Sequence, residues 1–182
     1  MDRRQAEILD FWFRDLTPRQ WFAEGKKLDP IMRDRFGALH EKAASGALDA
    51  WAETPLGRLA LILLLDQFSR NIHRGTARAF ATDAKTQRLA IDGIEAGMDE
   101  QLTISQRHFF YMPLMHAEDP ALQAMSVERF AALKAAAEDT LRFAEKHRAE
   151  VERFGRFPHR NKALGRANSA EEDEFIASTK DY

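Results

Sequence analysis

The sequence predicts an all-α fold: antiparallel helical hairpins in one compact domain spanning residues 1–182. Apolar residues recur at helical spacing through almost the whole chain. No stretch alternates apolar and polar residues or carries the Asn-Gly pair that closes a strand hairpin. Asp-Pro and Thr-Pro pairs stand where helices would begin, and no linker rich in glycine, serine or proline divides the chain. Successive helices joined by short turns give the hairpin geometry shared by bundles and α-solenoids, although no clean internal repeat is present.

Ile8, Leu9, Phe11, Trp12 and Phe13 supply the apolar side of a first helix. Residues 18–22 form a short turn that carries Trp21 and Phe22 toward the core. Asp29-Pro30 reads as cap and first turn of a helix in which Met32, Phe36, Leu39 and Ala43 keep 4-3-4 spacing up to Gly46. Thr54-Pro55 repeats the device, and residues 56–68 are apolar nearly all round, which predicts the central buried helix. Residues 83–96 read as a helix ended by Gly97, and residues 105–115 as one interrupted at Pro113. Asp119-Pro120 starts the next segment, whose alanine-rich run over 131–145 suggests close helix contacts. Ser169-Ala170-Glu171-Glu172 is a capping box that opens the last helix.

Composition removes several functions. Hydrophobic residues at 45% and charged residues at 31% are ordinary for a globular chain. A net charge of -2 gives no global basic field for nucleic acid or an anionic membrane. The absence of cysteine removes disulfides, thiolate metal sites and cysteine nucleophiles, and fits a reducing compartment, so a cytoplasmic location is expected. The opening residues lack a signal-peptide core, and the longest apolar run, residues 59–65, is far short of the roughly 20 residues a bilayer requires. No phosphate-binding glycine loop, dinucleotide fingerprint or nucleophile elbow is present.

Polar chemistry concentrates in three places. Phe154-Gly155-Arg156-Phe157-Pro158-His159-Arg160-Asn161 sets two arginines, a histidine and an asparagine around a proline that reads as the start of a short helix. Its N-cap, Phe157, has no oxygen to offer the free N–H groups, so a carboxylate or an anionic ligand must do so. Asp66-Gln67-Phe68-Ser69-Arg70-Asn71 ends the most apolar helix, and His116-Ala117-Glu118-Asp119 follows Pro113. Arginine with asparagine suits a planar carboxylate or a phosphate.

Together with Ile8-Leu9-Asp10-Phe11-Trp12-Phe13, Met112-Pro113-Leu114-Met115 and Leu164-Gly165-Arg166, these motifs resemble the bacterial domain-of-unknown-function family 924 over nearly the whole chain. The resemblance implies a tetratricopeptide-like helical array and supplies no activity. Ser69 stands where proline is common in that family, and Ala117 where serine is common, which weakens any mechanism using a serine nucleophile there.

The site expected from these clusters comprises Asp66, Arg70, Asn71, Arg156, Arg160 and Asn161 as ligand-binding residues, with His116, His159 and Glu118 as catalytic candidates. Its ligand would be a small anion. Eight Lys or Arg stand against three Glu over residues 142–166, and Arg70, Arg74 and Arg78 follow one another without an acid between them. One alternative is a hydrolase or phosphoryl-transfer enzyme using His116 or His159 as general base. Another is a helical scaffold for a peptide partner, in which the arginines and asparagines are an internal latch paired with Asp66, Glu118, Asp119 or the acidic residues 171–174. The spacing of His116, Glu118 and Asp119 matches no strong ligand motif, so neither a metal nor a cofactor is expected; His40 and His147 read as surface helix residues.

Overall fold

The computed structural model describes residues 2–22 and 25–179, and every regular element among them is helical. The chain falls into two compact units, Met1–Leu133 and Lys134–Tyr182.

In the first unit, α1 (Arg3–Asp10) opens on a capping box between Asp2 and Gln5 and runs into a π-helical turn, Phe11–Asp15. Ile8, Leu9, Phe11 and Trp12 are buried along it. The short α2 (Pro18–Phe22) lays the indole of Trp21 on that of Trp12, with ring centroids 6.2 Å apart, while Trp21 Nε1 donates to the Trp12 carbonyl at 2.9 Å. Phe22 departs from expectation: it is 60% exposed, because a five-residue helix turns only one aromatic inward.

The next helix, α3 (Asp29–Ala44), buries Met32, Phe36 and Ala43. Asp29 is its first residue rather than its cap, and its carboxylate is used elsewhere. His40, expected at the surface, is 3% exposed: it stands four residues after Phe36 on the stripe that faces inward. Thr54 caps α4 (Pro55–Ile62), accepting from the Gly57 N–H at 3.2 Å. That helix continues through a second π-helical turn, Leu63–Phe68, into α5 (Ser69–Ile72). Leu59 to Leu65 and Phe68 are fully buried, so this is the central helix the sequence predicts.

Around it lie α6 (Asp83–Glu95) and α7 (Ile104–Met115), the latter opened by a capping box between Thr103 and Gln106 and running through Pro113 to its end. The Asp119 carboxylate accepts from the Ala121 and Leu122 amides at 2.8 and 3.0 Å and so caps α8 (Pro120–Phe154), whose first turns belong to this unit.

The second unit contains the remainder of α8, a single 3-10 turn at Pro158–Arg160, and α9 (Ala170–Ser178), capped by Ser169 and Glu172 as expected. Close helix contacts through the alanine run are not what forms: Ala131, Ala132, Ala135, Ala136 and Ala137 are exposed. High helix propensity, not packing, accounts for alanine there.

Two glycines set close approaches. A Cβ on Gly57 would lie 2.3 Å from the Trp51 carbonyl oxygen, and one on Gly93 2.5 Å from the Phe110 ring, whereas Gly37 has open space. Gly57→Ala should therefore cost about 1–3 kcal/mol through overpacking, while Gly37→Ala should stabilise α3 by about 0.5–1 kcal/mol. Urea denaturation of both variants checks the opposite signs.

Candidate functional site

Asp66 is the chemical centre of the first unit. The π-helical turn that carries it lies within the most buried helix, and its carboxylate is 0% exposed. A charge so placed must be paired. Arg70, one turn later, brings Nη1 to 3.1 Å; the Gln67 side-chain amide donates to Oδ2; His116 Nδ1, from the C-terminal end of α7, stands 2.8 Å from Oδ1. Arg70 in turn donates to both oxygens of Asp83, the first residue of α6, at 2.9 and 3.0 Å. One guanidinium thus ties the central helix to α6, and one imidazole ties it to α7. Ser69 hydrogen-bonds the Ala79 carbonyl at 3.2 Å, which gives its buried hydroxyl a partner.

A second set of contacts begins one residue on. Asn71 Nδ2 donates to the Gly25 carbonyl at 3.0 Å and to Asp29 Oδ1 at 2.8 Å, while Arg74 donates to Asp29 through Nε at 2.6 Å and Nη2 at 2.9 Å. Burial pushes the Asp29 carboxyl up, but the hydrogen bonds from Arg74 and Asn71 outweigh it and hold it below the usual range. Beside these residues opens a cavity of about 510 Å³. Its lining includes the cations Lys26, Lys27, Arg70 and Arg74, the amides of Gln67 and Asn71, and the rings of Trp21 and Phe22; among the described residues no carboxylate lines it.

In the second unit the arginines are consumed internally. Arg156 clasps Glu172 through Nε at 2.6 Å and Nη2 at 2.8 Å, and Arg153 donates to Glu171 at 2.6 and 2.9 Å. Asn161, fully buried, donates to Asn168 at 2.8 Å; the Arg160 guanidinium lies 4.3 Å from the Phe157 ring centroid; His159 packs against Phe175. The short helix expected at Pro158 is only a three-residue turn, with no side-chain cap at Phe157. The Arg160 and Asn161 amides donate to the Phe157 and Pro158 carbonyls, so the turn satisfies both from its own backbone. A separate cavity of about 580 Å³ in this unit is lined by Phe143, Lys146, His147, Glu150, Arg153, Phe154 and Phe175 among others, and by none of the predicted site residues.

The structure brings Asp66, Arg70 and His116 into contact, puts Asn71 on the basic cavity, and places Arg156, His159, Arg160 and Asn161 in the second unit. Glu118 is exposed and makes no hydrogen bond or ion pair among the described residues, and Asp119 serves as a cap. Sequence reasoning missed Asp29, Asp83, Gln67, Arg74 and Lys26. Asp29 and Asp83 read as helix starts, and their arginine partners lie too far along the chain to leave a local signal. Arg74 was legible in the acid-free arginine run after Asp66.

Residues 8–180 match the family described as a bacterial protein of unknown function, DUF924. The chain is similar to the solved structure of the protein of unknown function ATU0120 from Agrobacterium tumefaciens, at 41% identity over 96% of this chain and 97% of that one, with a TM-score of 0.67. No curated protein matches the chain.

The Arg156 hydrogen bonds, with the Ser169 amide second, hold the Glu172 carboxyl at about 2, down from 4.5. A folded value below the unfolded one stabilises the native state fully above about pH 4.5 and loses that contribution as pH falls through 2. Glu172→Gln should therefore be less stable than wild type at neutral pH and converge with it near pH 2. Paired acid-unfolding curves test this, and parallel curves across the whole range would contradict it.

Proposed function

Because the chain belongs to DUF924, a bacterial family of unknown function, we propose a function from its own geometry: the basic cavity of the first unit binds a small anion, a phosphate or a carboxylate. One observation carries this. Four cations and two side-chain amides line a single concavity to which, among the described residues, no acid contributes. Asp29 and Asp83 support the reading, since each grips an arginine in a forked contact and so fixes the guanidinium before a ligand arrives. The Trp21 ring supplies a flat apolar wall for an organic anion with a planar part. Asp66 is a positioning residue: it orients Arg70 and Gln67, which reach the cavity, and His116, which is not among the lining residues.

The pairing of Asp66 with His116 Nδ1 favours a second reading as a hydrolase or phosphoryl-transfer enzyme. A carboxylate on Nδ1 sets the tautomer and leaves Nε2 to take a proton from water or a hydroxyl, with the arginines stabilising the charge that develops. Arg156, Asn161 and Glu172 act as a latch within the second unit, as does the Arg153–Glu171 pair. A tetratricopeptide-like array with a peptide partner is the scaffold alternative, favoured by the exposed Leu141 and Phe143 on α8. A cytoplasmic location accords with the lack of cysteine and with a helix set in which, among the described residues, none is long and apolar enough to cross a membrane.

Titration calorimetry at low salt with phosphate, pyrophosphate and simple dicarboxylates should give saturable one-to-one binding. Arg74→Ala and Lys26→Ala should each weaken it about tenfold, the loss of one charge-assisted contact, and Arg88→Ala, at a residue paired with Asp92 and outside the lining, should not. Absence of saturable binding, or equal affinity in all three variants, would refute the anion site. Phosphate release from an aryl phosphate that His116→Ala abolishes, with anion binding retained, would establish the enzymatic reading.

A further inference from the structure

The first unit contains a second cluster of ionisable side chains that the anion site does not use. His40, on the buried stripe of α3, meets His73, the residue that ends α5, with ring centroids 5.0 Å apart in an edge-to-face arrangement. Among the described residues, neither ring nitrogen of His40 has a partner within hydrogen-bond distance, nor does Nε2 of His73, and all three atoms are buried. A buried imidazole left without partners costs free energy that a folded protein ordinarily recovers through a hydrogen bond or a metal.

Glu41 completes the group. Its Oε1 lies 3.8 Å from His40 Nδ1 and 3.7 Å from His73 Nε2, and one ligand atom from each of the three residues falls within 4.8 Å of the others. Tetrahedral coordination with bonds of about 2.0–2.1 Å places ligand atoms about 3.3–3.4 Å apart, so an ion would draw the two carboxylate edges in by a few tenths of an ångström and the edge between the imidazoles by up to about 1.5 Å. Burial, the largest effect on each, holds both imidazoles below their ordinary value, which favours the neutral form that binds a metal. Two imidazoles and a carboxylate suit a borderline-soft divalent ion and not calcium or magnesium, which take oxygen ligands.

We propose that His40, Glu41 and His73 form a binding site for a divalent transition-metal ion of the zinc class, with a fourth position open to water. The opposing charges are Arg78, whose Nη2 holds Glu41 Oε1 at 2.6 Å, and Arg33, which donates to the Ile72 carbonyl. Arg78 is the contact an ion must displace, and its side chain is mostly exposed and able to swing into solvent.

The test uses the untagged full chain, stripped with chelator and titrated with Co(II) while visible absorption is followed. One saturable site per chain with tetrahedral d–d bands, displaced by Zn(II), is expected. Because His40→Ala removes a buried ring and could prevent folding, the deciding variants are His73→Ala and Glu41→Gln. Each should weaken Co(II) binding at least about tenfold and remove the rise in melting temperature that Zn(II) gives the wild type. Bands and affinity unchanged in His73→Ala, or no saturation at one ion per chain, would overturn the site.

Discussion

A carboxylate sealed inside the central helix governs the first unit. Asp66 cannot remain there charged and alone, so Arg70, Gln67 and His116 must be delivered to it, and each delivery fixes a piece of architecture. Arg70 brings Asp83 and the start of α6; His116 brings the end of α7. The π-helical turn at Leu63–Phe68 is part of the same arrangement, because the extra residue in the turn changes which side chain faces which neighbour. Removing one partner from such a buried network typically costs about 3–5 kcal/mol, so the arrangement is over-determined whatever ligand the neighbouring cavity receives.

The two Arg-Asn pairs, alike in sequence, meet different electrostatic surroundings. Arg70-Asn71 is gripped by Asp83 and Asp29 and lies in the lining of a concave basic surface. In the second pair Arg160 stacks on Phe157 and Asn161 is buried against Asn168, while Arg156 is closed off by Glu172. Arg74 and Arg156 make the same forked contact with one carboxylate, and what separates a site from a tether here is that Arg70, Asn71 and Arg74 line a cavity while Arg156, Arg160 and Asn161 line none of those described.

Much of this was readable from residue order. The all-helical class, the central apolar helix, the caps at Thr54, Asp119 and Ser169 and the polar weight at Asp66 and Arg70 all follow from periodicity and local hydrogen-bond chemistry. What escaped is long-range or concerns residue type. His40 looked exposed because histidine often is, although its position four residues after Phe36 marks it as inward. Asp29 looked like a cap because Asp-Pro usually is one, and only the folded chain brings Arg74 to it. Phe157 does lack a cap, but three residues are too few to make the dipole that an uncapped helix would present.

The aromatic wall of the basic cavity has a practical consequence. The chain has three tryptophans; Trp12 and Trp51 are buried, and Trp21 alone is part of the cavity lining. A guest that displaces water from that face alters the surroundings of Trp21 directly, with Trp12 stacked against it and Trp51 outside the lining. The protein thereby carries its own fluorophore at the place where occupancy matters, and emission can follow loading without a label.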